Sequence, residues 1–146
     1  MTIFEALRKD HDIQRELCDK LVNTSGKNDL RKNMFHKLKR ELQYHADAEE
    51  RFFYAPLIKE DLTQDKARHS ISEHKDIDDL IEKLEETDMD SSAWLTYMKQ
   101  LQHQVVHHLD EEEHEVFQLA GKALNESEKS SLSKKYNTYM EDVRDE

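Results

Sequence analysis

At 146 residues the chain suffices for one domain with a real core and falls short of an obvious second one. Two Gly and one Pro argue against a sheet protein, which needs many turns, and the single cysteine, Cys18, excludes an internal disulfide. With 22 Lys+Arg against 33 Asp+Glu, the net charge of -11 repels phosphate backbones and anionic membranes and sets nucleic acid aside as a partner.

The opening MTIFEALRKD has no apolar signal core, and no apolar run approaches a membrane span. The expected setting is therefore the cytoplasm, with no membrane partner. Charged residues make up 38% of the chain, but the apolar ones are periodic, which indicates a folded protein.

Thr2 with Glu5 forms a capping-box pattern that opens a first helix to about Val22, with Phe4, Leu7, His11, Cys18 and Leu21 on one stripe. Asn23-Thr24-Ser25-Gly26 stops it, with Gly26 suited to the C-terminal cap. A second helix starts near Asp29 and carries Met34, Leu38, Leu42, His45, Glu49 and Phe52 or Phe53 on one side. It is expected to end or kink just before Pro56. Thr63 or a neighbour caps a third helix to about Glu86, with Ala67, Ser70 or Ile71, His74, Ile77, Ile81 and Leu84 inward. Ser91 or Ser92 caps a fourth, in which Trp94, Met98, Leu101, Val105, His108, Glu112, Val116 and Leu119 keep helical spacing to about Ala123. Asn125 to Glu128 caps a final shorter helix with Leu132, Tyr136, Tyr139 or Met140, and Val143, expected to lie across one end.

The fold class so predicted is all-α: one domain over 1–146, an up-down-up-down antiparallel four-helix bundle over about 3–123 with an additional short C-terminal helix over about 126–143. The chain repeats itself at an offset of 63 residues. His11, His45 and Glu49 recur as His74, His108 and Glu112, and Phe35, Leu38, Leu42, Leu17 and Leu21 as Met98, Leu101, Val105, Leu80 and Leu84. A period seen twice fits two helical hairpins that complete one core.

Residues four apart share a helix face, so each His-x-x-x-Glu unit aims an imidazole and a carboxylate the same way, among Leu38, Leu42, Leu101 and Val105. Two carboxylates and four imidazoles in a core call for cations between them. Metal ligands are thus expected at His11, His45, Glu49, His74, His108 and Glu112, each Glu bridging two ions and two imidazoles on each ion. Without a thiolate the set suits iron, with zinc or manganese as alternatives; iron is preferred because bridged carboxylate pairs in helical bundles are most often redox sites. His36, His69, His103, His107 and His114 lie off the stripe or lack a duplicated partner and are read as solvated or as supporting the ligands from outside. Glu50, Glu111 and Glu113 are read mostly as an acidic surface, with the alternative that one of them joins the metal or orients a ligand His through its second nitrogen, an alternative shared by Asp10 and Glu73; Cys18 is read as a small core residue. Arg15 and Asp78, equivalent in the two repeats, are expected to face each other.

These residues carry a resemblance: Asp10-His11, His45-x-x-x-Glu49-Glu50 followed by Phe53-Tyr54-Ala55-Pro56, Glu73-His74, and His107-His108-x-x-x-Glu112-Glu113 followed by Phe117. Over roughly residues 3 to 120 the chain resembles the hemerythrin family, more closely its HHE cation-binding branch. The resemblance implies a non-haem centre of two iron ions, oxo- or hydroxo-bridged, on the same six residues. The implied roles are binding or sensing of dioxygen or nitric oxide, or iron handling. The alternative is an enzyme reducing peroxide, nitric oxide or dioxygen, so the expected partner is a small diatomic ligand or peroxide; the expected assembly is a monomer or weak homodimer. Oxygen-carrying members resemble this chain but have two His four apart on the third helix, where it has Ser70 or Asp78 around His74, and Asp five after the fourth-helix His, where it has Glu113. Many HHE proteins have Glu where this chain has Ala46. With fewer protein ligands, ligand exchange or oxidative reactivity is expected rather than oxygen carriage.

Overall fold

The Thr2 hydroxyl accepts from the Glu5 amide while the Glu5 carboxylate accepts from the Thr2 amide, so two donors at the helix start are satisfied reciprocally and α1 (Ile3–Val22) begins there. A computed structural model describes residues 1–145. Asn23 ends α1, and Gly26, at φ +74°, takes the left-handed turn inside the following loop rather than the cap itself. Asn28 caps α2 (Asp29–Glu49), which runs into a π-helical segment, Glu50–Tyr54, and then α3 (Ala55–Ile58). After α4 (Gln64–Glu86), Ser91 caps α5 (Ser92–Glu111), continued by a second π segment, Glu112–Val116, and α6 (Phe117–Ala123). Asn125 and Glu128 make a capping box for α7 (Glu126–Arg144). The described residues are all helix, turn and loop.

Three local expectations are corrected. Thr63 does not cap α4; its hydroxyl turns back to the Leu57 carbonyl at 2.6 Å. The change expected just before Pro56 takes the form of a widened turn, Glu50–Tyr54, and the helix continues through the proline. Ala55 donates to Glu50, five residues back, and keeps helical geometry, so the missing proline N–H falls where the hydrogen-bond register changes. The same widening in the second repeat slips the apolar phase, so that Ala120 is buried where Leu119 was expected and Leu119 is only half-buried. The third correction concerns α7, which at 19 residues is nearly as long as α1 and does not lie across an end. It packs against α1 and α2, with Tyr136 and Met140 buried.

Two apolar clusters fill the interior. One holds Leu7, Phe53, Leu57, Ala67, Val116 and Tyr136; the other holds Leu17, Leu38, Leu42, Ile77, Leu101 and Val105. Along the chain, α1 and α4 pass from the first cluster to the second, and the helices beginning at Asp29 and Ser92 pass the other way. His11, His45, His74 and His108 fall between them on all four, so a polar layer separates two greasy ones.

The far end is tied by the pair Arg31 and Trp94, themselves 63 residues apart. Arg31, 3% exposed, donates to the Thr24 hydroxyl and to the Thr24 and Met89 carbonyls, and its guanidinium lies 4.4 Å from the Trp94 ring centre. Hydrogen bonds from a charged group are worth about 1.5–3 kcal/mol each where removal strands a partner. Arg31→Met is expected to lower the unfolding free energy by about 3 kcal/mol, read as a shift of the urea midpoint with unchanged slope.

Candidate metal centre

α1, α2, α4 and α5 each contribute one histidine, and Glu49, the last residue of α2, and Glu112, the first of the second π segment, complete the layer. Both carboxylates are fully buried and none of the four histidines exceeds 6% exposure. The structure brings all six predicted side chains together. His11 Nε2 lies 3.8 Å from Glu49 Oε2 and 3.1 Å from Glu112 Oε1, and His45 Nε2 lies 3.2 Å from Glu49 Oε2. On the other side His74 Nε2 is 3.1 Å from Glu49 Oε1 and His108 Nε2 is 3.6 Å from Glu112 Oε2. Glu49 therefore turns Oε2 toward His11 and His45 and Oε1 toward His74, and Glu112 turns Oε1 toward His11 and Oε2 toward His108, so each glutamate reaches both sides of the layer.

Two overlapping groups result, His11, His45, Glu49 and Glu112, and Glu49, His74, His108 and Glu112, each with ligand atoms within 4.8 Å of one another. Their inward atoms are left orphaned: His11, His45 and His108 Nε2, Glu49 Oε2 and Glu112 Oε1 are buried without a hydrogen-bond partner. Buried polar atoms are nearly always satisfied. Five orphans converging on one space fit a positively charged occupant, and the donor set, imidazole and carboxylate, is one that divalent cations take.

Outside this layer every imidazole is held at Nδ1. His11 bonds Glu113 at 2.6 Å, His74 bonds Glu50 at 3.0 Å and His108 bonds Glu73 at 2.8 Å. His45 instead donates to the hydroxyl of Tyr136 at 2.6 Å, and that hydroxyl donates onward to Asp10 at 2.5 Å. These partners hold each ring through Nδ1 and leave Nε2 facing inward, able to ligate once deprotonated. Glu50 and Glu113 are thus not merely acidic surface. Asp10 and Glu73 are repeat equivalents, yet the aspartate is one methylene shorter and the Tyr136 hydroxyl fills the gap. Arg144 pairs with Asp10 and Glu41 from the far side. Arg15 does not face Asp78; it pairs with Asp12, Asp110 and Glu113, because the widened turn carries Glu113 round to α1.

Charge in the layer is balanced by protons when no cation is present. Burial opposes protonation of His74, but Glu49 and Glu50 overcome it and push its pKa up to about 10. Burial likewise opposes protonation of His11, and Glu112, Glu113 and Glu49 hold it well above the ordinary value. Glu49 is driven well below the carboxylate range, its burial outweighed by His45, His11 and His74, whereas burial and the neighbouring Glu49 raise Glu112. Tyr54 is buried and donates its hydroxyl to Glu112. Cys18 is core, as expected: burial pushes its thiol up to about 12, so it offers no thiolate.

The sequence matches the family described as Hemerythrin HHE cation binding domain over residues 2–120, and the chain belongs to that family. Among solved structures it is similar to a hemerythrin HHE cation-binding domain-containing protein from Mycobacterium kansasii. That likeness has a TM-score of 0.89 at 21% identity, covering 99% of this chain and 88% of the other, and it extends through α7, beyond the family match. No curated protein matches. No helix among the described residues is long and apolar enough to cross a membrane.

Proposed function

We propose that the protein is a non-haem di-iron protein that binds or senses dioxygen or nitric oxide, or handles iron, as a single-domain up-down-up-down bundle working in the cytoplasm as a monomer or weak homodimer. The alternating order in which the helices cross the two apolar clusters supports the bundle. The observation that carries the function is the sharing of Glu49 and Glu112 between two groups of histidines. In this reading His11 and His45 hold one ion, His74 and His108 the other, and the two carboxylates bridge them. Iron so bound supplies a redox-active pair with coordination positions left over for a small ligand.

A place for that ligand lies beside the histidines. A cavity lined by Gln14, Leu42, His45, Ala46, His74, Ile77, Asp78 and His108 gives the centre of a water-sized molecule about 10 Å³ to occupy, about the least that holds one such molecule. Ala46 is half-buried and Asp78 exposed, so the cavity is edged by the surface. Gln14 is 1% exposed and its amide nitrogen has no partner. Its equivalent 63 residues on is Ile77, also in the cavity, so one wall is apolar and the other holds an unused donor. Gln14 is therefore the group that hydrogen-bonds a captured diatomic.

Metal analysis of protein purified without chelator is expected to find about two iron per chain, and none after anaerobic ferrous loading would overturn the reading. In the ferrous protein, Gln14→Leu is expected to weaken nitric oxide or oxygen retention about tenfold, the worth of one buried hydrogen bond. A second reading is favoured by Tyr54, which places an oxidisable phenol on the bridging Glu112. This is an enzyme reducing peroxide, nitric oxide or dioxygen. Sustained turnover with peroxide and a reductant selects it; reversible uptake without turnover selects binding.

A further inference from the structure

The offset that pairs α1 with α4 and the helix from Asp29 with that from Ser92 also pairs their outer faces, and the two faces differ. On the first, Ala6 and Ala48 share an apolar cluster with Tyr136 and Met140 of α7, and Asp10 between them bonds Tyr136 and Arg144. The counterparts of Ala6, Asp10, Tyr44 and Ala48 on the second face are His69, Glu73, His107 and Glu111. There the side chains of His69 and His107 are 54% and 60% exposed. Where one face accepts a helix, the other presents four donor groups.

They form two His-x-x-x-Glu units on adjacent helices, each aiming an imidazole and a carboxylate from one face. His69 Nε2 lies 3.5 Å from Glu73 Oε2 and 3.1 Å from Glu111 Oε1, and His107 Nε2 lies 3.8 Å from Glu73 Oε2 and 3.2 Å from Glu111 Oε2. Atoms of His69, Glu73 and Glu111 lie within 4.8 Å of one another. Tetrahedral zinc with bonds of about 2.0–2.1 Å sets its ligand atoms about 3.3–3.4 Å apart; the four imidazole–carboxylate separations bracket that figure, with His107 reaching the site from outside the closer group of three. Glu73 holds a side chain 7% exposed between two roles: Oε1 accepts from His108 at 2.8 Å, while Oε2 is turned outward to the two surface imidazoles.

We propose that His69, Glu73, His107 and Glu111 form an outer site for one divalent cation of the zinc class, joined to the inner centre through the shared carboxylate of Glu73. The site needs no soft ligand, is open to solvent on the imidazole side, and lies on a chain whose net charge of -11 draws cations to it.

Equilibrium dialysis of the full-length protein against zinc, beside the variant His69→Ala/His107→Ala, tests it. Both imidazoles are exposed and neither belongs to the inner layer, so the variant is expected to fold as the parent does, checked by circular dichroism. The parent is expected to hold one more zinc per chain than the variant, and cobalt to give it a tetrahedral visible absorption that the variant lacks. Zinc should also shift the imidazole NMR signals of both His69 and His107. Equal zinc uptake by the two proteins, or unmoved imidazole signals, overturns the proposal and leaves these residues as ordinary His-carboxylate ion pairs. Because the comparison is a difference between two proteins with the same inner residues, it stands whether or not the inner centre holds iron.

Discussion

Glu49→Gln is expected to strip the protein of both inner cations. Glu49 Oε2 faces His11 and His45 while Oε1 faces His74, so a single neutral amide removes a charged oxygen from each position. Replacing an outer partner typically costs ten- to a hundredfold in affinity, and loss of a shared inner carboxylate is expected to exceed a hundredfold. Elemental analysis should fall from about two ions per chain to below one, with the helical circular dichroism retained. Glu113→Gln supplies the contrast, touching only His11 of the four inner imidazoles and weakening one position by about ten- to a hundredfold. Two ions retained in the Glu49 variant would rule out the bridging role.

Freed of cations, the protein is expected to lose stability as the pH rises from about 6.5 to about 10, whereas the cation-loaded protein is not. His74 has its pKa raised from 6.5 to about 10 in the fold. A raised folded pKa gives stability that is fully present below the unfolded value and lost as pH climbs through the folded one. His11 shifts in the same direction. Glu113 acts oppositely: burial would raise it, but His11 and Arg15 lower it from 4.5 to about 2, so its contribution holds above 4.5 and fades as pH falls toward about 2. The cation-free protein should therefore be most stable between about pH 4.5 and 6.5. Cations need deprotonated imidazoles, so loading releases protons and strengthens as pH rises. Ligand in thousandfold excess over its Kd contributes about 4 kcal/mol, or roughly 10 °C in Tm for a chain of this size. The gap in Tm between loaded and chelated protein, measured at pH 5.5, 7.5 and 9, should widen steadily; a constant or shrinking gap would show that protons and cations do not compete for this layer.

What the sequence showed and hid follows from period. The six inner residues were legible because His-x-x-x-Glu recurs at a fixed offset within an apolar stripe, and both capping boxes were legible because each needs only residues three apart. The π segments were not, since one inserted residue leaves the pattern intact on either side and shifts only its phase. Its trace was the choice left open between Phe52 and Phe53, of which Phe53 is buried and Phe52 half-buried. That shift also lets Glu50 and Glu113, one residue beyond the inner glutamates, reach His74 and His11. Their own recurrence 63 residues apart was the available signal. Tyr136 could not be found this way: it belongs to α7, outside the duplication, and touches His45 only because a long helix covers the short Asp10.

That last substitution makes the centre lopsided. His74 and His108 are each backed by a carboxylate, whereas His45 leans on a neutral phenol and only His11 on an acid. An anionic partner makes its imidazole the better electron donor, so the two halves of a duplicated scaffold differ in electron supply. In the proposed arrangement the position held by His74 and His108 would be the more electron-rich of the two, and the position held by His11 and His45 the poorer.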